Sequence, residues 1–208
     1  MGNVISLSDH RMKPSRPEPA LPPAFFFDVS CPMSYLTAER VERKLGEVDW
    51  IPVDGASLRR EPAVRDRVDA CARELRLPLV WPDRFPDPAR CAQRAASFAC
   101  EIGAGAAFAL AASRLAFCGG FDLEDPETLA EAAAAAGVPL DECLKAAGEA
   151  WRDEELEHAA ATLRAHGVTE LPAIRIGDRW FEGEAGLLAA NALLNDSGAL
   201  RRRLAPVG

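Results

Sequence analysis

The chain has 208 residues, enough for one domain with room for a sizeable insertion. Its 49% hydrophobic and 27% charged residues describe a chain that can bury a full core, and a net charge of −8 argues against non-specific nucleic-acid binding, which needs concentrated Lys and Arg. No run approaches the roughly 20 apolar residues of a membrane helix, so neither nucleic acid nor membrane is expected as a partner.

Residues 1–23, MGNVISLSDHRMKPSRPEPALPP, are polar and proline-rich, and read as a flexible or polyproline-like arm. They lack the charged-then-apolar layout of a signal peptide, so a cytoplasmic location is expected. The Met-Gly start with Ser6 superficially matches a myristoylation pattern, which the context argues against.

Ala24 to Val29 is a short apolar, aromatic run bounded by Pro22-Pro23 and Ser30, and predicts a buried strand. Apolar positions at Leu36, Val41 and Leu45 predict a helix over 33–45. Val48 to Val53 predicts a second strand, with Pro52 marking an edge or an end. A long alanine-rich helical block follows over about 58–150. It is broken by PLVWPDRFPDP (78–88), by Gly119-Gly120 and by Asp125-Pro126, where Asp125 is a helix cap. The helix PETLAEAAAAAG ends on Gly137, and DEELEHAAATLRAHG ends on Gly167. Residues 172–176 predict a strand, Gly177-Asp178 a tight turn, Arg179–Glu182 its hairpin partner, and Glu184–Leu194 a terminal helix. The fold class is mixed α/β with a helical insertion.

Six cysteines show no framework spacing, no CxxC and no Cys/His pairing, so no metal site is expected. Five of them sit among Ala and Leu, where cysteine behaves as a small hydrophobe. Cys31 differs. In the tetrad Cys31-Pro32-Met33-Ser34 it stands where a strand turns into a helix, against unpaired amides and the positive end of the helix dipole. A thiol there is expected to titrate below the roughly 8.5 of a free cysteine. Pro32 suits the first helical position, and Ser34, one turn on, either donates to the sulfur or caps the helix. A lone Cys31 cannot close the internal disulfide of a dithiol oxidant. It can attack a disulfide and stop at a mixed disulfide, or steer a bound thiol toward a substrate.

FFFDVSCPMSYL, PLVWPDRFP and GVTELPAIRIGDRWFEGEAGL, in that order, resemble the DsbA-like branch of the thioredoxin superfamily. The 2-hydroxychromene-2-carboxylate isomerases and kappa-class glutathione transferases are the closest likeness. The resemblance runs from about Ala24 to Leu194. It implies a thioredoxin fold split by a helical domain: a Pro-rich arm at 1–23, a thioredoxin-like unit of 24–56 and 151–197, a helical insertion of 57–150, and a tail of 198–208. Cys31 then falls where the isomerases and transferases place a Ser beside the glutathione sulfur, and where dithiol oxidoreductases place the attacking Cys; Ser34 takes the resolving position. Pro172 matches a proline after a cis bond facing the active site, and Leu171 supplies backbone groups that would pair with a thiol peptide. Trp81, Pro82 and Arg84 match the loop on the acceptor-substrate side.

The resemblance also implies glutathione or another low-molecular-weight thiol as cofactor, and a small aromatic or electrophilic substrate. Protein disulfide clients and a homodimer are further possibilities. Where glutathione-using relatives carry a polar-Asp-Arg segment for the γ-glutamyl end, this chain has Gly183-Glu184-Ala185-Gly186, of which Glu184 alone could touch that end. Three functions follow: a thiol-dependent isomerase, transferase or oxidoreductase; a protein-thiol oxidoreductase; or a binding module with an inert Cys31.

Overall fold

A computed structural model describes residues 22–58 and 64–204. The arm expected over 1–23, with its Ser6 pattern, therefore lies up to residue 21 outside the described residues.

Four strands form one sheet: β1 (Ala24–Phe27), β2 (Asp49–Pro52), β3 (Ala173–Ile176) and β4 (Arg179–Glu182). They lie in the order β2-β1-β3-β4. β2 runs parallel to β1 with Phe25 opposite Trp50, while β3 is antiparallel to both β1 and β4. Pro52 thus sits at the end of an edge strand, where its missing N–H disrupts no ladder.

Both faces of β1 are covered, so its four residues are all buried rather than alternating. Phe25 and Phe27 face one core, with buried alanines of the helical block and Phe108, Phe117 and Leu129. Ala24 and Phe26 face a second, with Ala160, Leu163, Val168 and Leu171. β1 stops two residues earlier than the apolar run predicts. The amide of Val29 bonds to Gln93 Oε1 at 3.1 Å, and Cys31 N–H turns back to the Asp28 carbonyl at 2.9 Å.

The helix expected over 33–45 is two, α1 (Pro32–Ala38) and α2 (Val41–Leu45). They part at Arg40, which leaves helical geometry (φ −134°, ψ −14°) and buries its side chain. The helical block resolves into α3 (Val64–Leu75), α4 (Arg90–Glu101), α5 (Gly105–Gly119), α6 (Pro126–Ala136) and α7 (Leu140–Ala147). The break between α4 and α5, which the sequence pattern does not mark, turns at Gly103 with φ +78°. α8 (Arg152–Ala165) covers the second core. The last helix, α9 (Gly183–Leu204), runs ten residues past the predicted Leu194 and through much of the expected tail. Among the described residues no helix is long and apolar enough to cross a membrane.

Candidate active site

β1 delivers the chain to Cys31, which is the N-cap of α1 with extended backbone, φ −96° and ψ 115°, and Pro32 takes the first helical position. All seven residues of α1 are buried, so the helix is fixed by packing rather than by propensity. Across from it the Leu171-Pro172 bond is cis, as the resemblance implies, and Cys31 Sγ lies 4.0 Å from the Leu171 carbonyl oxygen.

Asp28, 4% exposed, lies beneath the thiol, a site residue that the sequence reading does not include. Its carboxylate accepts from Ser30 N–H and Ser30 Oγ, each at 2.7 Å, and from Gly55 N–H at 3.1 Å. A Cβ on Gly55 would fall 2.5 Å from Asp28 Oδ2, so the approach of that amide requires glycine. Asp28 N–H in turn donates to Ser34 Oγ at 3.3 Å.

These surroundings reverse the sequence-based expectation for Cys31: its thiol is held above, not below, the ordinary value. Burial of the sulfur is the largest cause and the Asp28 charge the second. Hydrogen bonds from the Ser34 hydroxyl and from the Ser34 and Met33 amides pull the other way without winning. The helix N-terminus does favour the thiolate, but removal of water and a buried acid outweigh it.

The structure brings Cys31, Pro32, Ser34, Leu171 and Pro172 together. Arg84, more than half exposed, is paired with Asp122 at 3.1 Å and Asp87 at 3.6 Å. It lines a shallow cleft that starts beside Ser30 and is walled by Pro82, Phe85, Phe117 and Phe121. Trp81 Nε1–H donates to Asp69 at 3.0 Å, and its ring packs on Phe85 and under Arg65. Glu184 is engaged by Arg40, with Nη2 donating to Oε1 at 2.5 Å. The Arg40 pair takes up Glu184 Oε1, and Ala185 and Gly186 beside it carry no polar side chain for a γ-glutamyl end.

Gln93, 4% exposed, clamps the floor of the site. Its Oε1 holds Val29 N–H, and its Nε2 donates to the carbonyls of Phe27 at 3.2 Å and Val53 at 2.6 Å. Two of the residues that sequence reasoning misses carry a signal in the sequence: Asp28 as a lone acid in an apolar run, and Gln93 as a polar residue on an alanine face. Arg40 carries none, because its partner is 144 positions away.

The DSBA-like thioredoxin domain matches residues 24–191 of the chain. Comparison with curated proteins finds no match. Among solved structures, a 2-hydroxychromene-2-carboxylate isomerase superposes with a TM-score of 0.76 at 14% identity, covering 89% of this chain and 100% of its own. A cytosolic disulfide reductase, DsbM from Pseudomonas aeruginosa, solved with GSH, superposes at 0.62 with 19% identity, covering 85% of this chain and 98% of its own. At these identities the likeness is one of fold. Together with the sheet order, the helices inserted between β2 and β3, and Cys31 at the start of α1, the match to four-fifths of the sequence makes this chain a member of the DsbA-like thioredoxin family.

Proposed function

We propose that the protein is a single-thiol enzyme in which Cys31 supplies the working sulfur and the substrate is small, aromatic or electrophilic. The observation that carries the reading is the placement of Cys31 Sγ between the first turn of α1 and the Leu171 carbonyl, with Ser34 in place of a second cysteine. In this reading residues 57–150 are the helical insertion beside the cleft, and the aromatic wall of Phe85, Phe117 and Phe121 receives the substrate.

Burial and Asp28 keep Cys31 as S–H at neutral pH, with the Leu171 oxygen as its acceptor. On attack the S–H proton passes to the anion the substrate releases, the leaving thiolate of a disulfide or the group displaced from an electrophilic carbon, while the Ser34 hydroxyl with the Met33 and Ser34 amides stabilises the thiolate as it forms. The sulfur attacks an electrophilic carbon or a disulfide sulfur. In the second case the reaction stops at a mixed disulfide, because Ser34 cannot resolve it. No glutathione step enters this account. The Leu171 carbonyl beside the sulfur also suits a protein-thiol reading, in which a client backbone pairs there.

Cys31→Ser should abolish covalent capture of electrophiles and disulfides. Ser34→Cys should gain oxidation of dithiol substrates without added small thiol, since the new thiol resolves the mixed disulfide internally. If wild type already turns over insulin disulfides unaided, the protein-thiol reading replaces this one. If Cys31 fails to alkylate even at high pH, the chain is a binding module.

A further inference from the structure

We infer that Arg40 is a positioning residue for Cys31, acting through Glu184 and the Pro172 segment rather than by touching a substrate. The inference rests on the reading of Cys31 as the working thiol. Its basis is a closed circuit of contacts. α1 begins at Cys31, and Arg40 follows two residues after its last helical residue. The Arg40 side chain, 8% exposed, donates to Glu184 in the first turn of α9 at 2.5 Å. The residue before it, Gly183, donates its N–H to the Pro172 carbonyl at 2.8 Å. Next to Pro172 stands the Leu171 carbonyl, 4.0 Å from Cys31 Sγ, and the circuit is complete.

Two further observations show what the ion pair is for. Arg40 Nε and Glu184 Oε2 are both buried and have no hydrogen-bond partner among the described residues, so the pair is an incomplete one that a bidentate bridge would improve on. Incompletely satisfied buried pairs stabilise poorly and are best attested as devices that set a register. The register at stake is the gap between α1 and Leu171, because closing that gap is part of what removes water from the sulfur. Gly183 is fitted to the same role, since its φ is +66° and a Cβ there would fall 2.5 Å from Glu170 Oε1. Glu170 is itself held by Arg67 of α3 at 2.7 Å, a more exposed tie on the same segment. The titratable and charged groups facing the circuit are thus Asp28 beneath the thiol, Glu170 and Arg67 at the outer side, Cys71 and Glu74 of α3 beside the ion pair, and the Arg40–Glu184 pair itself, between the α1–α2 junction and α9.

Loosening the circuit should admit water to the sulfur and ease its ionisation. The test is the pH profile of Cys31 alkylation by iodoacetamide, located by mass spectrometry, in the full chain. Arg40→Met should lower the midpoint of the profile and raise labelling at neutral pH severalfold. Arg40→Lys, which keeps the charge, should restore much of the wild-type profile, and so should the exchange of Arg40→Glu with Glu184→Arg. Should Arg40→Met fail to fold, Glu184→Gln carries the same test, since it keeps the volume and removes the charge. A lowered urea midpoint with an unmoved alkylation profile would overturn the inference, leaving Arg40 a structural bridge. The readout is alkylation and not turnover, so it stands even where Cys31→Ser retains activity, the result that would instead sink the single-thiol reading.

Discussion

Around Cys31, two neighbours pull in opposite directions, and each can be removed. Asp28→Asn should lower the thiol's pKa by deleting the charge that opposes ionisation. Ser34→Ala should raise it further, because the hydroxyl that donates to the thiolate is lost. Each is read as the midpoint of the rate–pH curve for iodoacetamide labelling; shifts of the same sign in both would refute the electrostatic account of the site. Both changes also carry a stability cost. Ser34→Ala leaves the buried Asp28 N–H without its acceptor, at about 1–3 kcal/mol. In Asp28→Asn the side-chain amide presents one acceptor oxygen where two now receive Ser30 and Gly55, with a cost of similar size.

Among the elements, α4 couples the helical block to the sheet through one side chain. Gln93 satisfies the Val29 amide and the Phe27 and Val53 carbonyls where β1 and β2 end and ladder pairing runs out. Gln93→Leu preserves volume but strands two buried backbone groups, the Val29 amide and the Val53 carbonyl, while the Phe27 carbonyl keeps Val53 N–H at 2.8 Å, so a loss of about 3 kcal/mol in urea unfolding is expected. A loss under about 1 kcal/mol would mean that water takes over the role. Local chemistry is enough elsewhere. Asp125 caps α6 by accepting from Glu127 N–H at 2.9 Å, Pro126 fills the first position, and Gly137 closes the helix at φ +69°. That helix was legible in full because nothing in it depends on a distant partner. The 33–45 segment was not: its apolar spacing is continuous, and the break at Arg40 exists to meet Glu184.

For the whole molecule, the core on the Phe25 and Phe27 face of the sheet sets its response to alkali. Burial pushes the Cys100 thiol up to about 12 and the Cys143 thiol up to about 11. It also raises the Tyr35 phenol, which lies against Phe117 and 3.2 Å from Cys118 Sγ. These groups titrate higher folded than unfolded, so the native state holds more protons once pH passes the ordinary thiol value near 9.0. The stability they contribute is fully present below that value and is lost as pH rises through the folded values. Urea midpoints should therefore be level up to about pH 8 and fall steadily from pH 9 to 11. Cys143→Ala with Cys100→Ala should flatten the fall, and an unchanged slope in the double variant would show that other groups govern it.

The α/β class, the hairpin at Gly177-Asp178, the capped helices and the distinctness of Cys31 were all determined by the sequence alone, since each rests on period, turn residues or caps within a few positions. The family resemblance extended this to the cis bond at Leu171-Pro172 and its place opposite the thiol. Only the tertiary structure decided the state of that thiol. Its titration is governed by burial and by Asp28, and burial is a property of the segments around Leu171 and Gly55 that close over it. The same holds for the partners of Glu184 and Trp81, Arg40 and Asp69, which lie on other elements. A local pattern can place a sulfur at a helix start, but whether water reaches it and whether the acid three residues before it is buried are decided by segments as distant as Gly55 and Leu171.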